Sequence, residues 1–225
     1  MIKPLVLVTG TGTEIGKTVV ACGLVAAWAR RGLAIAGIKP IESGQTQTGE
    51  LGGDVGELGR VSTFHVTRFR APYLLIDPVS PHLAARREGR TIEADVVLRW
   101  VAAIRQEADG VVVELPGGLF SPLSDDLTNA DLVEQLAPSR IVLVAPDRLG
   151  VIHDVVATAR AARAQGIAIR GLVLSTPATA DASTGTNATE LTRGAPNLPV
   201  LAVLPRAKPE ALEPYFERIL QALSL

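Results

Sequence analysis

Three things are scarce in this chain, and each scarcity narrows what it can be. A single cysteine, Cys22, among 225 residues excludes an intrachain disulfide. It falls inside an apolar helical pattern and reads as a small buried filler rather than a nucleophile. An excess of charge of one sign is missing too. The formal net charge is −1, which offers no surplus of cations to a nucleic-acid backbone. Long apolar runs are the third absence. The longest, VVACGLVAAWA, is stopped by Arg30 and Arg31, well short of the roughly 20 residues a membrane span needs. The opening MIKPLVLVTG has one early lysine, but its apolar run is too short for a secretory signal and no cleavage-like site follows. Low cysteine use fits a reducing compartment. The expectation is a cytoplasmic protein with neither a nucleic-acid nor a membrane partner.

What is present is an alternation of short apolar runs with longer helix-period segments. PLVLVTG, LAIAGIKP, DGVVVEL, SRIVLVAP, IRGLVLS and LPVLAVLP read as strands. Near-continuous Val, Ile and Leu in such runs means burial on both faces, hence a mostly parallel sheet covered by helices on both sides. Residues 17–31 form a predicted helix ended by Gly32. In residues 92–104, Ile92, Val96, Val97, Trp100, Val101 and Ile104 fall on one helical face. Leu212, Tyr215, Phe216, Ile219, Leu220 and Leu223 make a stripe on the last helix. Residues 42–53 and 177–185 read as loops, the second a mobile one. No repeat or linker divides the chain, so one α/β domain over residues 1–225 is expected. Ligands of an open α/β sheet sit beyond the carboxyl ends of its strands. That directs attention to residues 9–18, 39–43, 114–118 and 146–153, and to Ser175 and Pro205.

The first of these, TGTGTEIGKTVV, nearly spells two different motifs. A dinucleotide turn wants glycines and then an acid at the end of the second strand. That strand instead ends Lys39-Pro40, and Glu42 comes only after the proline. A lysine there would suit a phosphorylated ribose, which keeps an NADP-binding reductase in view. The triphosphate reading explains more. Backbone N–H groups around Gly16 can cradle phosphates at a helix N-terminus. Lys17 can reach the β- and γ-phosphates, and the Thr18 hydroxyl can ligate Mg²⁺. Five residues separate Gly10 from Gly16, one more than the common phosphate-loop pattern allows. Two carboxylates can complete a metal shell with Thr18: Asp54 in LGGDVGEL and Glu114 at the end of VVVE. Asp125 and Asp126 are weaker rivals, because SDDLTNAD also reads as a solvated helix start. Lys39 follows strand two, taken as the neighbour of strand one. With Ser43 in KPIESG it makes a cationic and hydroxyl site suited to chemistry that gathers negative charge.

Taken together, GTGTEIGKT, KPIESG, PVSPHLAARREGR, VVVELPGGLFSPLSDDLTNADLV, LVAPDRLGVI and VLPRAKPE resemble the ATP-dependent dethiobiotin synthetase family, in order and over nearly the whole chain. The family's phosphate loop carries the same extra residue. The resemblance implies a single-domain phosphate-loop NTPase fold working as a homodimer. It implies a cyclo-ligase of biotin biosynthesis that closes the ureido ring of dethiobiotin from 7,8-diaminopelargonic acid (7,8-diaminononanoate) and CO₂, with ATP and Mg²⁺, through a phosphorylated carbamate. By resemblance Lys39 and Lys17 are the catalytic lysines, and Thr18, Asp54 and Glu114 the Mg²⁺ ligands. Thr11, Glu14, Ile15, Gly16, Val19 and Gly117 join them around the nucleotide. Ser175, Thr176, Pro205, Arg206, Ala207 and Glu210 match residues near the base and ribose. Thr11, Lys39 and Ser43 would meet the substrate, and Gly150, Val151 and His153 its carboxylate tail across the dimer. The alternative is a diverged phosphate-loop ATPase with a regulatory or partner-binding role. Partition-type ATPases carry a lysine near the loop's start, which TGTGTE lacks.

The chain departs from the family in four places. Gly12 stands where Asp or Asn is common. Glu114-Leu115-Pro116-Gly117-Gly118 replaces Glu-Gly-Ala-Gly-Gly, adding bulk and removing a backbone donor. Ser175 replaces a base-reading Asn and should loosen nucleotide selectivity. Ile152, His153 and Asp154 stand where Asn-His is frequent; Asp154 is expected to face solvent.

Overall fold

The computed structural model describes residues 3–45, 52–65, 69–195 and 197–225. Six strands make one sheet: β1 (Leu5–Gly10), β2 (Ile35–Ile38), β5 (Gly110–Glu114), β6 (Arg140–Pro146), β7 (Gly171–Ser175) and β8 (Val200–Leu204). Their order is β2-β5-β1-β6-β7-β8, and every neighbouring pair is parallel. All six predicted strands are therefore present. One expectation needs correction: β2 is not the neighbour of β1, because β5 lies between them. Lys39, just past β2, consequently emerges beside the end of β5, where Glu114 stands.

Alternation along the strands assigns the two faces. Leu5, Leu7, Val111 and Val113 point into one cluster with α3 (Pro81–Arg87), α4 (Ala94–Glu107) and α5 (Asn129–Leu136). Val6, Val8 and Val112 point the other way, against α1 (Lys17–Ala29), α2 (Gly53–Val61) and α8 (Pro209–Ala222). Further along the sheet, Leu143, Leu172 and Leu174 pack under α6 (Val151–Ala164) and α7 (Asn187–Gly194). Both predicted helical stripes face inward: Val97, Val101 and Ile104 are buried on α4, and Leu212, Phe216, Ile219 and Leu220 on α8. α1 is apolar nearly all round because it lies between the sheet and α8. Gly23 permits that approach, since a Cβ on it would come within 2.1 Å of the Phe216 ring. Cys22 sits at the edge of this cluster, and burial pushes its thiol up to about 12, as a filler rather than a nucleophile requires.

The region read as a loop over residues 42–53 is corrected at its start. Ile41–Ser43 is a strand, β3, paired in parallel with β4 (Tyr73–Leu75) in a second, two-stranded sheet. Its last part, from Gly53, opens α2; residues 46–51 lie outside the described residues. Three-residue strands give no usable periodicity, and the paired residues lie 32 positions apart. Residues 177–185 are irregular as expected, but they are tied down. The Asp181 carboxylate accepts from the N–H groups of Leu149, Ser183 and Thr184. Asp147, buried at the end of β6, accepts from the Gly185 N–H and the Asn187 amide. Among the described residues no helix is long and apolar enough to cross a membrane.

Candidate active site

Because all six strands run the same way, their carboxyl ends share one edge, and the predicted site segments meet there. Gly10 ends β1 and the chain turns through residues 11–16 into α1. Gly16, at φ 90°, is the N-cap; a side chain would be strained there and would strike the Ser175 hydroxyl at 2.6 Å. Glu14 also has positive φ, 56°, so the loop holds a non-glycine residue in the left-handed region. The Lys17 ammonium curls back to the Gly12 carbonyl at 2.5 Å. Burial pushes this lysine down to about 8, against the pull of Glu114. A Cβ on Gly12 would meet nothing within 4 Å, so the missing side chain leaves open space and not a changed backbone.

Beside the loop lies a buried cluster of opposite charges. Lys39 is 6% exposed, not the surface lysine its place before a proline allowed. Its ammonium bridges two carboxylates, Glu114 Oε1 at 2.8 Å and Asp54 Oδ2. The Thr18 hydroxyl donates to Glu114 Oε1 at 3.2 Å. Burial alone would lower Lys39, but the Glu114 and Asp54 charges outweigh it and hold the ammonium above the ordinary lysine value. Burial likewise raises the Glu114 carboxyl, with Lys39 opposing. At half-exposed Asp54 the burial effect is overcome by Lys39, which holds the carboxyl below its usual range.

Glu42 makes Asp54 available. Its two oxygens accept the backbone N–H groups of Asp54 and Val55 at 2.8 and 2.9 Å. It thus caps α2 from β3, where Gly52 supplies no side chain. Sequence reasoning placed Glu42 in a loop and missed this role; the acid in KPIESG was its only signal.

These residues fit a hard divalent cation on the donor chemistry. Thr18, Asp54 and Glu114 converge as oxygen ligands, and Glu114 Oε2 is buried without a partner, a costly state unless something binds it. Among the described residues no cluster of three His, Cys, Asp or Glu could hold a metal alone. The ion would therefore depend on the Thr18 hydroxyl and on ligand oxygens. Asp125 is 77% exposed and pairs with Arg86, away from this shell.

The altered turn after β5 proves compatible with the site. Leu115 is fully buried in the core, so its bulk points away from the cleft. Pro116, Gly117 and Gly118 line the cleft. The amide of Asn129, fully buried at the start of α5, donates to the carbonyls of Pro116 and Gly118 at 2.6 and 2.8 Å. Nothing in LTNAD distinguished this residue from an ordinary solvated helix start.

Two clefts of about 730 Å³ each meet across residues 14–18. One holds Thr11, Lys17, Lys39, Ser43, Asp54 and Glu114, with the rim of residues 78–81. The Ser43 hydroxyl is buried in it without a partner, free for a ligand. The other is lined by Val19, Ser175, Thr176, Pro205, Arg206 and Ala207. Val19 is 51% exposed and presents an apolar face there. A linear molecule with phosphates on Gly16 could have its base in the second cleft and its terminal phosphate in the first. Glu210 lies in the first turn of α8 and does not line either cleft. Neither do Gly150, Val151 and His153. Gly150 and His153 are exposed, while the Val151 side chain is buried under α6. Asp154 pairs with Arg148 at 3.6 Å on the surface, consistent with an outward-facing role.

The chain is similar to several known proteins. A family model described as an AAA domain matches residues 5–210. ATP-dependent dethiobiotin synthetase BioD 1 of Escherichia coli O157:H7 is 41% identical over 171 residues, 74% of this chain and 75% of that one. The dethiobiotin synthetase of Ralstonia nicotianae is 38% identical over 207 residues, covering 88% and 89%. Among solved structures, a ParA family ATPase from Chlorobium tepidum aligns over 97% of this chain and 92% of its own, at TM-score 0.58 and 13% identity, a likeness of fold.

Proposed function

The chain belongs to the ATP-dependent dethiobiotin synthetase family, and from that premise we infer how its own residues carry the reaction. It is an ATP-dependent carbon–nitrogen cyclo-ligase of biotin biosynthesis. One amine of 7,8-diaminopelargonic acid takes up CO₂ as a carbamate. A carbamate oxygen attacks the γ-phosphorus of ATP and ADP leaves, giving a mixed carbamic–phosphoric anhydride. The second amine attacks the carbonyl carbon, and phosphate departs with that oxygen as the ring closes.

The observation that carries this reading is the pair of buried lysines at one cleft, Lys17 on the phosphate loop and Lys39 between the carboxylates. A carbamate and a triphosphate repel each other, and two buried ammonium groups at one cleft would offset that repulsion and stabilise the transferring phosphoryl group. Lys17 would release the Gly12 carbonyl to hold the β- and γ-phosphates. Lys39 would hold the carbamate, with the unpaired Ser43 hydroxyl and Thr11 orienting the diamine. Thr18, Asp54 and Glu114 would hold Mg²⁺, which when bound draws off charge from the β- and γ-oxygens. The Lys39 ammonium holds Glu114 Oε1 and Asp54 Oδ2, which leaves Glu114 Oε2 for the ion and sets the two cations in competition for the same pair of carboxylates. Ser175, Thr176 and residues 205–207 would receive the ribose and base, with Glu14, Ile15, Gly16, Val19 and Gly117 around the phosphates. Glu210 does not line the cleft, but Lys208 and Leu212 on either side of it do, so it would meet the nucleotide at the rim.

We read residues 1–225 as one such domain, and the protein as a cytoplasmic homodimer. Leu149 is 74% exposed and Ile152 37%, two large apolar side chains flanking the N-terminus of α6. A partner covering them would bring Gly150 and His153, with the backbone of Val151, to the substrate's carboxylate end. The test is an omission series. ADP release should require diamine, bicarbonate and Mg²⁺ together. ATP hydrolysis indifferent to the diamine would point to the diverged ATPase instead.

A further inference from the structure

The turn after β5 is where this chain leaves its family's pattern, and the fold provides a side chain that grips the altered segment. Pro116 has no N–H to lend the turn. Its carbonyl and that of Gly118 both accept from the Asn129 Nδ2, at 2.6 and 2.8 Å. Asn129 is fully buried, and its backbone N–H donates to the Ser121 carbonyl at 3.0 Å. The capping box of Thr128 and Asp131 closes the first turn of α5, while Asn129 itself is held by its own bonds to Ser121, Pro116 and Gly118. The gripped turn touches both halves of the catalytic machinery. It starts directly after Glu114. Its far end donates from the Leu119 N–H to the Gly10 carbonyl at 2.9 Å. Gly118 lies so close to the phosphate loop that a Cβ on it would be 3.3 Å from backbone atoms of Gly10 and Thr11.

We propose that Asn129 is a positioning residue for phosphoryl transfer, whose amide sets the Pro116–Gly118 turn and through it both Glu114 and the base of the phosphate loop. The role needs an amide. One planar NH₂ supplies two donors to carbonyls two residues apart. A serine supplies one donor, and a leucine or a carboxylate supplies none. The catalytic part rests on the cyclo-ligase reading; the effect on metal–nucleotide binding does not.

The test compares Asn129→Ser and Asn129→Leu with Thr128→Ala, which loosens the same helix start without touching the turn. Each is measured for kcat per folded molecule, for KM of the diamine, for melting temperature, and for affinity toward Mn²⁺ with a non-hydrolysable ATP analogue, read by electron paramagnetic resonance. Losing one donor should lower kcat about tenfold and losing both about a hundredfold, with KM for the diamine unchanged. Mn²⁺–nucleotide affinity should weaken at least about threefold in both, because Glu114 is no longer held. Thr128→Ala should melt earlier at unchanged kcat and Mn²⁺ affinity. Should Asn129→Leu not fold, Asn129→Ser carries the comparison. Asn129 variants that keep kcat and Mn²⁺ affinity within about twofold of the parent while melting earlier would overturn the proposal, as would Thr128→Ala reproducing their losses. A parent protein that closes no ring would remove the ligase reading, and the Mn²⁺ comparison would still decide the role of Asn129.

Discussion

Replacing Lys39 with alanine should separate catalysis from stability in a measurable way. The Lys39 side chain is 7% exposed and pairs with the side chains of Glu114, 1% exposed, and Asp54, 37% exposed. Removing one partner of a fully buried pair costs about 3–5 kcal/mol. Half-exposed Asp54 can turn to water, so about 2–3 kcal/mol is expected here. For a chain of this length that is a fall of about 4–12 °C in melting temperature. The loss should shrink toward low pH. Burial already raises the Glu114 carboxyl, and without Lys39 it rises further. A carboxyl raised in the folded state binds its proton there before the unfolded chain does, so stability is regained as pH falls through that range. Catalysis should suffer more, by about 10²–10³ in kcat, the usual loss for one preorganised charge at the transferring group. Mn²⁺ affinity without nucleotide should rise, since the ammonium no longer neutralises the Glu114 and Asp54 carboxylates. Scanning calorimetry at pH 8 and 5.5, steady-state turnover and Mn²⁺ titration check the three effects. Turnover within about threefold of the parent would remove Lys39 from the mechanism, and Mn²⁺ binding no tighter than in the parent would remove it from the metal's site.

Other outcomes follow from single features. Lys17 is pushed down to about 8 by burial, so free protein above that pH lacks the charge that meets the phosphates. Affinity for an ATP analogue should fall by up to about tenfold per pH unit above 8, with proton uptake on binding; affinity flat from pH 7 to 9.5 would contradict this. Ser175 cannot pair donor and acceptor with a purine edge as an amide can, so GTP or CTP should substitute for ATP better than in an Asn-bearing relative. Strict ATP preference in a nucleotide panel would refute that. Leu149→Asp should split a homodimer in sedimentation and raise KM for the diamine while leaving nucleotide affinity intact. A sedimentation profile unchanged from the parent would place the interface elsewhere.

How much of this was legible in the sequence depended on the range of each interaction. The six sheet strands announced themselves through near-continuous Val, Ile and Leu, which burial on both faces favours, even though β8 is only partly buried. The phosphate loop and Thr18 were legible because they act within one turn of each other. Strand order was not: inserting β5 between β1 and β2 depends on which crossover packs, and no local pattern records it. The same insertion created the Lys39–Glu114 contact across 75 positions. β3 and β4 were missed because three residues carry no period, and with them the capping of α2 by Glu42. Asn129 was hidden for a different reason. One polar residue at a helix start looks the same whether it faces water or holds a turn, and only its complete burial tells the two apart.

The central claim is that this chain closes a cyclic urea at the cleft holding Lys17, Lys39 and Glu114. The most direct measurement supplies diaminopelargonic acid, carbon-13 bicarbonate, Mg²⁺ and ATP, and follows the product by mass. The account predicts a cyclised product one mass unit heavier than from ordinary bicarbonate, with one ADP released per ring. ADP formed without any labelled product, or at a rate indifferent to the diamine, would contradict it.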